Sequence, residues 1–257
     1  EGRVTAYEYD KYGCLATKSF FSTKSALNNG NGVSDHTVTY TYDSMGRVIA
    51  ETDSKSGTTA TTYNADGQVT RITSPTGVIN YEYDPVTGQV TRTWTGTASS
   101  APITDVRNTY DALGRLETVQ TYAREGAALG NPEVAKYIYD IIGNLDQVRH
   151  SNGIITDYNY DLLNRLSDVT HTHDNGTPDD TADDVEVEKF EYTYHANGHK
   201  SGEVATDKDG NQNIWNWDYD ALGRLVQERH DNHNDDLDYT TDYVFDLVGN
   251  RLEKNTD

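Results

Sequence analysis

The chain has 257 residues, of which 34% are apolar and 19 are tyrosine, and its 42 acidic and 21 basic side chains give a formal net charge of −21. That charge repels phosphate backbones and disfavours nucleic acid as a partner. A single cysteine, Cys14, rules out an intrachain disulfide or a multi-cysteine zinc site, and no apolar run reaches the roughly 18–20 residues of a membrane-spanning helix. Tyr, Thr and Val are common where a helical core would be rich in Leu, and these side chains fit the pleated surface of strands. The expected interior is a layer of tyrosines, apolar in the ring and hydrogen-bonded at the hydroxyl. The acidic surface suits a cationic partner, a divalent metal or a high-salt medium, and it equally serves solubility.

From the N-terminus onward one phrase recurs: aromatic-x-aromatic-Asp-x-x-Gly-(Arg/Asn/Gln)-(Leu/Val). After a first copy at Tyr7/Tyr9-Asp10 comes Tyr40-Thr-Tyr42-Asp43-Ser-Met-Gly46-Arg47-Val48. A degenerate copy with Asn64 and Gly67 follows, then one at Tyr81/Tyr83-Asp84, then Tyr110-Asp111-Ala-Leu-Gly114-Arg115-Leu116. Tyr137/Tyr139-Asp140, Tyr158/Tyr160-Asp161 and a second degenerate copy with His195 and Gly198 lead to Trp217/Tyr219-Asp220-Ala-Leu-Gly223-Arg224-Leu225 and a last copy at Tyr243/Phe245-Asp246. These ten anchors lie 20 to 34 residues apart.

Each part of the phrase has a physical reason. Alternation puts both aromatic rings on one face of a strand. Asp at the first turn position bonds forward to backbone N–H groups, and Gly three residues later takes positive φ, which describes a hairpin with a type I turn and a bulge. Asn164 replaces that Gly in Asp161-Leu-Leu-Asn164-Arg165, and Asn is the next residue to tolerate left-handed geometry. The Arg after the Gly is expected to pair with the Asp or to lay its guanidinium on a Tyr of the next unit. A second turn reverses the chain at Pro75-Thr-Gly77, Ser151-Asn-Gly153 and Asp207-Lys-Asp-Gly210. Longer spacings predict insertions at that second turn, over Lys24–Asp35, Gly96–Asp105, Arg124–Pro132 and Asp174–Asp184. The fold class is therefore all-β: tandem antiparallel β-hairpin repeats, roughly 20 strands, in a long sheet expected to coil because open sheets seldom pass about ten strands flat. No shift in composition divides the chain, so 1–257 reads as a single domain, and a start at Glu1 without Met reads as part of a longer protein.

On the phrases at 42–48, 110–116, 139–145 and 219–225, the chain resembles the RHS/YD-repeat family. That family includes bacterial polymorphic toxins, shell subunits of insecticidal toxin complexes and the animal teneurins. The resemblance implies a repeat sheet wound into a spiral, hollow shell, which in the bacterial members encloses a toxic C-terminal polypeptide until delivery and in the teneurins is extracellular. It implies a part of such a wall here, secreted or on a bacterial cell surface, with other parts of the same large polypeptide as partners. The chain departs from the family's self-cleaving end: its only Asp-Pro, Asp84-Pro85, lies in an ordinary repeat turn. Neither protease nor toxin activity carries over, and the chain is not expected to be an enzyme.

Three groups of residues could carry chemistry of their own. Asp207, Asp209, Asn211 and Asn213 place oxygen ligands at alternate positions around Gly210, as a calcium loop begins, without the Glu that completes an EF-hand. Asp174, Asp179 and Asp183 form a denser acidic stretch, and Asp231 to Asp238 another. Ca2+ is the cofactor such loops would take; Asp, Asn and Gly are equally what turns are made of. His171-Thr-His173 could chelate a transition metal from one strand face but has no identifiable third ligand. Trp94, Trp215 and Trp217 are the candidates for stacking on sugar rings, with packing in the tyrosine ladder as their alternative role. A structural scaffold is the leading reading. A polysaccharide- or partner-binding module comes second, and a polysaccharide-degrading enzyme framed by the repeats comes third.

Overall fold

The computed structural model describes residues 3–23, 34–176, 184–233 and 237–257. Every regular element among them is a strand. By its contacts the chain divides into two compact units, Glu1–Pro132 and Glu133–Asp257.

The first unit holds β1 (Val4–Tyr9), β2 (Leu15–Phe21), β3 (His36–Tyr42), β4 (Val48–Asp53), β5 (Gly57–Tyr63), β6 (Val69–Ser74), β7 (Gly77–Tyr83), β8 (Val90–Thr95), β9 (Thr104–Tyr110) and β10 (Leu116–Arg124). Each pairs antiparallel with the next in chain order. β11 (Ala127–Tyr139) begins in the first unit and continues into the second. The second unit then holds β12 (Leu145–His150), β13 (Ile154–Tyr160), β14 (Leu166–His173), β15 (Val185–Tyr194), β16 (Lys200–Asp207), β17 (Gln212–Tyr219), β18 (Leu225–Asn232), β19 (Tyr239–Phe245) and β20 (Arg251–Thr256), again paired in sequence. The fold is thus a run of antiparallel hairpins, β1β2 through β19β20, five in each unit when β11 is counted with its partner β12.

The repeated phrase makes the hairpin end. In the hairpin of β3 and β4, the Asp43 N–H donates to the Arg47 carbonyl at 2.9 Å and the Gly46 N–H donates to the Asp43 carbonyl at 3.1 Å. Gly46 sits at φ 79° and Asn164, in the Gly position of its own turn, at φ 61°, so the turn dictates the backbone and the residue follows. At the base of the turns the pairing slips by one residue, at Thr41/Tyr42, Asn159/Tyr160 and Asp218/Tyr219 among others, which is the bulge that a type I turn imposes on a hairpin.

At the opposite end the chain returns by varied routes. Pro75 and Thr76 make a two-residue loop between Ser74 and Gly77, while Glu125 (φ 53°) and Gly126 (φ 80°) make another between β10 and β11. The second of these corrects the expectation of an insertion over 124–132. The extra residues lengthen β11 to 13 residues instead, because two consecutive positive-φ positions close a tight turn whose twist suits strands. The expected insertion over Lys24–Asp35 lies mostly outside the described residues, as does 177–183 within Asp174–Asp184.

Burial is shallow, as expected of strands whose extensive contacts are with their chain neighbours. Among the described residues Phe21, Val38, Ala123, Val148, Ile155, Val169 and Ala205 are the buried apolar ones, and none of the large side chains described is fully buried. Four polar residues, Asn80, Asp105, Thr156 and Thr241, are buried beside them. The stabilising layer is the row of half-buried aromatic rings and the hydrogen bonds between hairpins.

Candidate functional site: the stitched turns and the breaks in the repeat

In the repeat turns the Asp side chain does two jobs at once. Asp161 Oδ1 accepts the backbone N–H of Leu163 and Arg165, both at 2.9 Å, while its Oδ2 accepts Arg165 Nε at 2.7 Å. Asp43 and Asp220 repeat the arrangement with Arg47 and Arg224. The backbone N–H of the following Arg, then its guanidinium, holds the carboxyls of Asp43, Asp161 and Asp220 below the usual carboxylate range. The same guanidinium lies over the aromatic ring that opens the next repeat turn: Arg47 over Tyr63 and Arg165 over Tyr194, both at 4.4 Å, and Arg224 over Phe245 at 4.8 Å. The Arg therefore makes both of the contacts anticipated for it.

At six of the repeat turns the Tyr just before the turn ties the hairpins together. Its hydroxyl donates to the backbone carbonyl of the residue that starts the outgoing strand one hairpin earlier. Tyr42 reaches Leu15 at 2.8 Å, Tyr63 reaches Val48 at 2.9 Å, Tyr83 reaches Val69 at 2.6 Å and Tyr110 reaches Val90 at 2.8 Å. In the second unit Tyr160 reaches Leu145 at 2.9 Å and Tyr194 reaches Leu166 at 2.7 Å. That carbonyl lies beside the bulge, where the ladder leaves it open, and a phenol at the right height satisfies it. At three turns where Gln or Asn stands in the Arg position, its side-chain amide makes the stitch. Gln68 Nε2 donates to the Gly88 carbonyl at 2.8 Å, Gln89 Nε2 to the Gly114 carbonyl at 2.7 Å, and Asn144 Nδ2 to Asn164 Oδ1 at 2.5 Å.

The calcium-loop candidate at 207–213 turns out to be the same turn placed at the return end. Asp207 Oδ1 accepts the N–H of Asp209 and Asn211, its Oδ2 accepts Asn211 Nδ2, all at 2.9 Å, and Gly210 N–H closes on the Asp207 carbonyl at 3.0 Å. The Asn211 amide, then its backbone N–H, holds the Asp207 carboxyl below the ordinary range. Asp209 takes Lys208 Nζ at 2.8 Å, and Asn213 Oδ1 takes the side-chain amide of Asn232. These oxygens are thus distributed over separate partners. Asp174 Oδ1 accepts the Gly176 N–H at 2.7 Å; Asp179 and Asp183 lie outside the described residues. Among the described residues no group of three or more His, Cys, Asp or Glu side chains is placed to hold a metal ion.

All three tryptophans are half-buried and each has a protein partner on its ring. Arg92 lies over Trp94 at 4.6 Å. Trp215 stacks on His230, its cross-strand partner, with centroids 4.5 Å apart and planes at 18°. Trp217 donates Nε1–H to Glu228 Oε2 at 3.1 Å and carries Lys200 Nζ over its ring at 4.8 Å. His171 bonds Thr156 Oγ1 through Nδ1 at 2.9 Å and meets Phe190 edge-on.

Two clusters escaped sequence reasoning because they depend on register. Glu228 accepts Tyr239 Oη at 2.7 Å as well as Trp217, and His230 lies between Trp215 and Tyr239 with a buried Nε2 that has no hydrogen-bond partner. The hydrogen bond to Glu228, aided by burial, raises the Tyr239 hydroxyl above its ordinary pKa. In the first unit Asp105 is 2% exposed and takes Arg92 through both oxygens at 2.8 Å, with Arg107 Nη2 at 3.0 Å. Burial alone would raise the Asp105 carboxyl; the two guanidiniums outweigh it and hold the group ionised.

No known family matches the chain, and no curated protein matches it. Solved structures do. The TcdB2-TccC3-Cdc42 crystal structure is 16% identical over 99% of this chain with a TM-score of 0.64. TcdB2-TccC3 without its hypervariable C-terminal region and the Tc holotoxin pore of Photorhabdus luminescens are each 15% identical over 99% of this chain, with TM-scores of 0.63. This chain spans 14% of the length of each of those chains. At such identity the likeness is one of fold: tandem β-hairpins of the kind found in these toxin-complex structures.

Proposed function

We propose that the chain is a structural β-repeat scaffold, a segment of a larger wall that encloses or presents a toxin, effector or surface domain of a secreted or surface-exposed bacterial protein. The observation that carries this reading is the stitch. The residues that recur are spent on joining one hairpin to the next: Asp on the turn, Tyr hydroxyl on the preceding hairpin's carbonyl, Arg on the following ring. A residue set repeated along the whole chain and satisfied within it is architecture rather than a reaction centre. The shared fold with toxin-complex chains several times longer supports a wall segment, with other parts of the same polypeptide as its partners.

Limited proteolysis of the full polypeptide containing this chain tests the reading. The repeat region is expected to resist cleavage, and Tyr63→Ala, Tyr160→Ala and Tyr194→Ala together should open both the repeats and the segment they enclose. If the triple variant exposes the repeats alone, they do not enclose a neighbour. If instead a single Trp94→Ala, Trp215→Ala or Trp217→Ala abolishes tight retention on a polysaccharide gel without altering protease resistance, the chain is a binding module.

A further inference from the structure

The residues between Asp and Gly in the repeat turns sit at the tips of the hairpins, and in the second unit most of them are large aliphatic side chains with no polar atom to bond the turn. Ile141, Ile142, Leu162 and Leu163 are 72–105% exposed, and Leu247 and Val248 are 103% and 84% exposed. Scattered exposed apolar residues need no explanation; a row of them does. These share one edge because their turns touch in sequence, with the smaller or polar tip Ala196-Asn197 at the middle turn. Asn144 bonds Asn164, Arg165 covers Tyr194, the His199 ring stands 2.6 Å from where a Cβ on Gly223 would be, and Arg224 Nη1 donates to the Asp246 carbonyl at 3.0 Å. The return turns of the same unit, Ser151-Asn152-Gly153 and Lys208-Asp209-Gly210, carry polar residues instead.

Charge narrows what could cover this row. The second unit contains 28 acidic and 10 basic residues, a balance of −18, against 14 and 11, a balance of −3, in the first. A second copy of this edge or an anionic lipid surface would meet strong repulsion. The charge is also unevenly balanced along the row. Asp161 and Asp220 are neutralised by Arg165 and Arg224, each with an Nη2–Oδ2 distance of 2.6 Å. Asp140 and Asp246, beside Ile141–Ile142 and Leu247–Val248, have Asn144 and Asn250 in the Arg position; Oδ2 of each accepts an amide at 2.9 Å. Two carboxylates thus stand beside aliphatic tips without a guanidinium of their own turn.

Spacing selects the form of the partner. Successive turns are two strands apart, about 9.6 Å along the edge, and seven residues of α-helix rise about 10.5 Å. We propose that the repeat-turn edge of the second unit is a docking edge for a basic amphipathic helix, whose apolar stripe covers Ile141, Ile142, Leu162, Leu163, Leu247 and Val248 and whose Lys or Arg side chains meet Asp140 and Asp246. The contact is of the helix-on-apolar-surface kind, read every second helical turn.

A labelled synthetic helix of about 28 residues (roughly 42 Å), enough to span the five turns from Asp140 to Asp246, with Leu at heptad a and d positions and Lys elsewhere, is the probe. A scrambled peptide of the same composition is its control, and binding is followed by anisotropy with the full chain. The designed peptide should bind at least about tenfold tighter than the scramble, a difference of about 1.4 kcal/mol. Ile141→Ser, Ile142→Ser, Leu162→Ser and Leu163→Ser together should remove that advantage while circular dichroism stays unchanged, since these side chains support nothing in the fold. Asp140→Asn with Asp246→Asn should weaken binding severalfold and flatten its salt dependence, and Asn64 already serves in such a turn. Equal binding of the scramble, or unchanged binding by the serine variant, would reduce the edge to a generic acidic surface and overturn the proposal. A dimer of the unmodified chain in sedimentation that the serine substitutions dissolve would overturn it in favour of self-association. Vesicle binding lost with the same substitutions would overturn it in favour of a lipid surface.

Discussion

The two ends of the hairpins use the same chemistry for different purposes. Asp161–Arg165 at the repeat-turn end and Asp207–Asn211 at the return end close with the same pattern: one carboxylate oxygen on two backbone N–H groups, the other on the side chain four residues on. What separates them is the neighbour. Arg165 lies on Tyr194 of the next hairpin, whereas Asn211 has spent its amide on its own turn. The turn motif alone therefore does not define the repeat; the contact from one hairpin to the next does. The return end, free of that duty, varies from the two-residue loop at Pro75-Thr76 to the acidic stretch that starts at Asp174.

The largest expected effect probes a place where the return end is anchored by a buried ion pair. Asp105→Ala leaves Arg92, itself half-buried, without its carboxylate and should cost about 3 kcal/mol, as breaking a buried ion pair does, measured by urea unfolding. A cost below about 1 kcal/mol would mean that the pair is solvated and that the return end tolerates change everywhere. At the stitched end, Tyr160→Phe and Tyr194→Phe each remove one hydroxyl–carbonyl bond and should cost about 1 kcal/mol. Tyr158→Phe, on the same strand face but without such a bond, should cost close to nothing.

Acid should act on both ends together. The turn carboxyls of Asp43, Asp161, Asp207 and Asp220 are lowered in the folded chain, and Asp53, held by the Lys55 N–H and then by His36, is lowered to about 2. Groups with depressed folded values contribute stability that is complete above their unfolded value near 4 and is lost as pH falls towards 2. The melting midpoint should therefore hold above about pH 5 and fall between about pH 4 and 2; a flat profile over that range would contradict the shared role of these aspartates. The smallest effect concerns calcium at 207–213. The ion would have to take Asp207 from two N–H groups and an amide, so chelation should leave the midpoint unchanged, and a rise on adding calcium would show that the ion wins.

Much of this was legible because the repeat turn is local. Five residues contain every donor and acceptor of the turn, so Asp-x-x-Gly and its Asn164 variant announce positive φ before any fold is known. The aromatic alternation and the hairpin count follow from the same short-range rules. Arg124–Pro132 was misread as an insertion because Glu at positive φ is uncommon, and only the Gly126 beside it hinted at the tight turn. Asp207–Asn213 looked like a ligand loop because a calcium loop and an Asp turn share composition. The hydroxyl of Tyr160 finds its carbonyl 15 residues away, and His230 meets Trp215 only through strand register; neither partner can be read from spacing alone. The aliphatic tips were in plain view between Asp and Gly, but nothing in the phrase said that they face solvent.

One turn serves both ends of the hairpins and stitching distinguishes them, and a matched pair of glycines tests this. Gly223 and Gly210 occupy the same turn position at φ 77° and 83°; a Cβ on Gly223 would meet the His199 ring at 2.6 Å, and one on Gly210 would meet nothing. Both Ala variants pay the left-handed backbone cost of about 1 kcal/mol. Gly223→Ala should cost at least about 1 kcal/mol more than Gly210→Ala, and His199→Ala in the same chain should abolish that excess in a double-mutant cycle. Equal costs at the two glycines, or an excess that survives removal of His199, would contradict the claim.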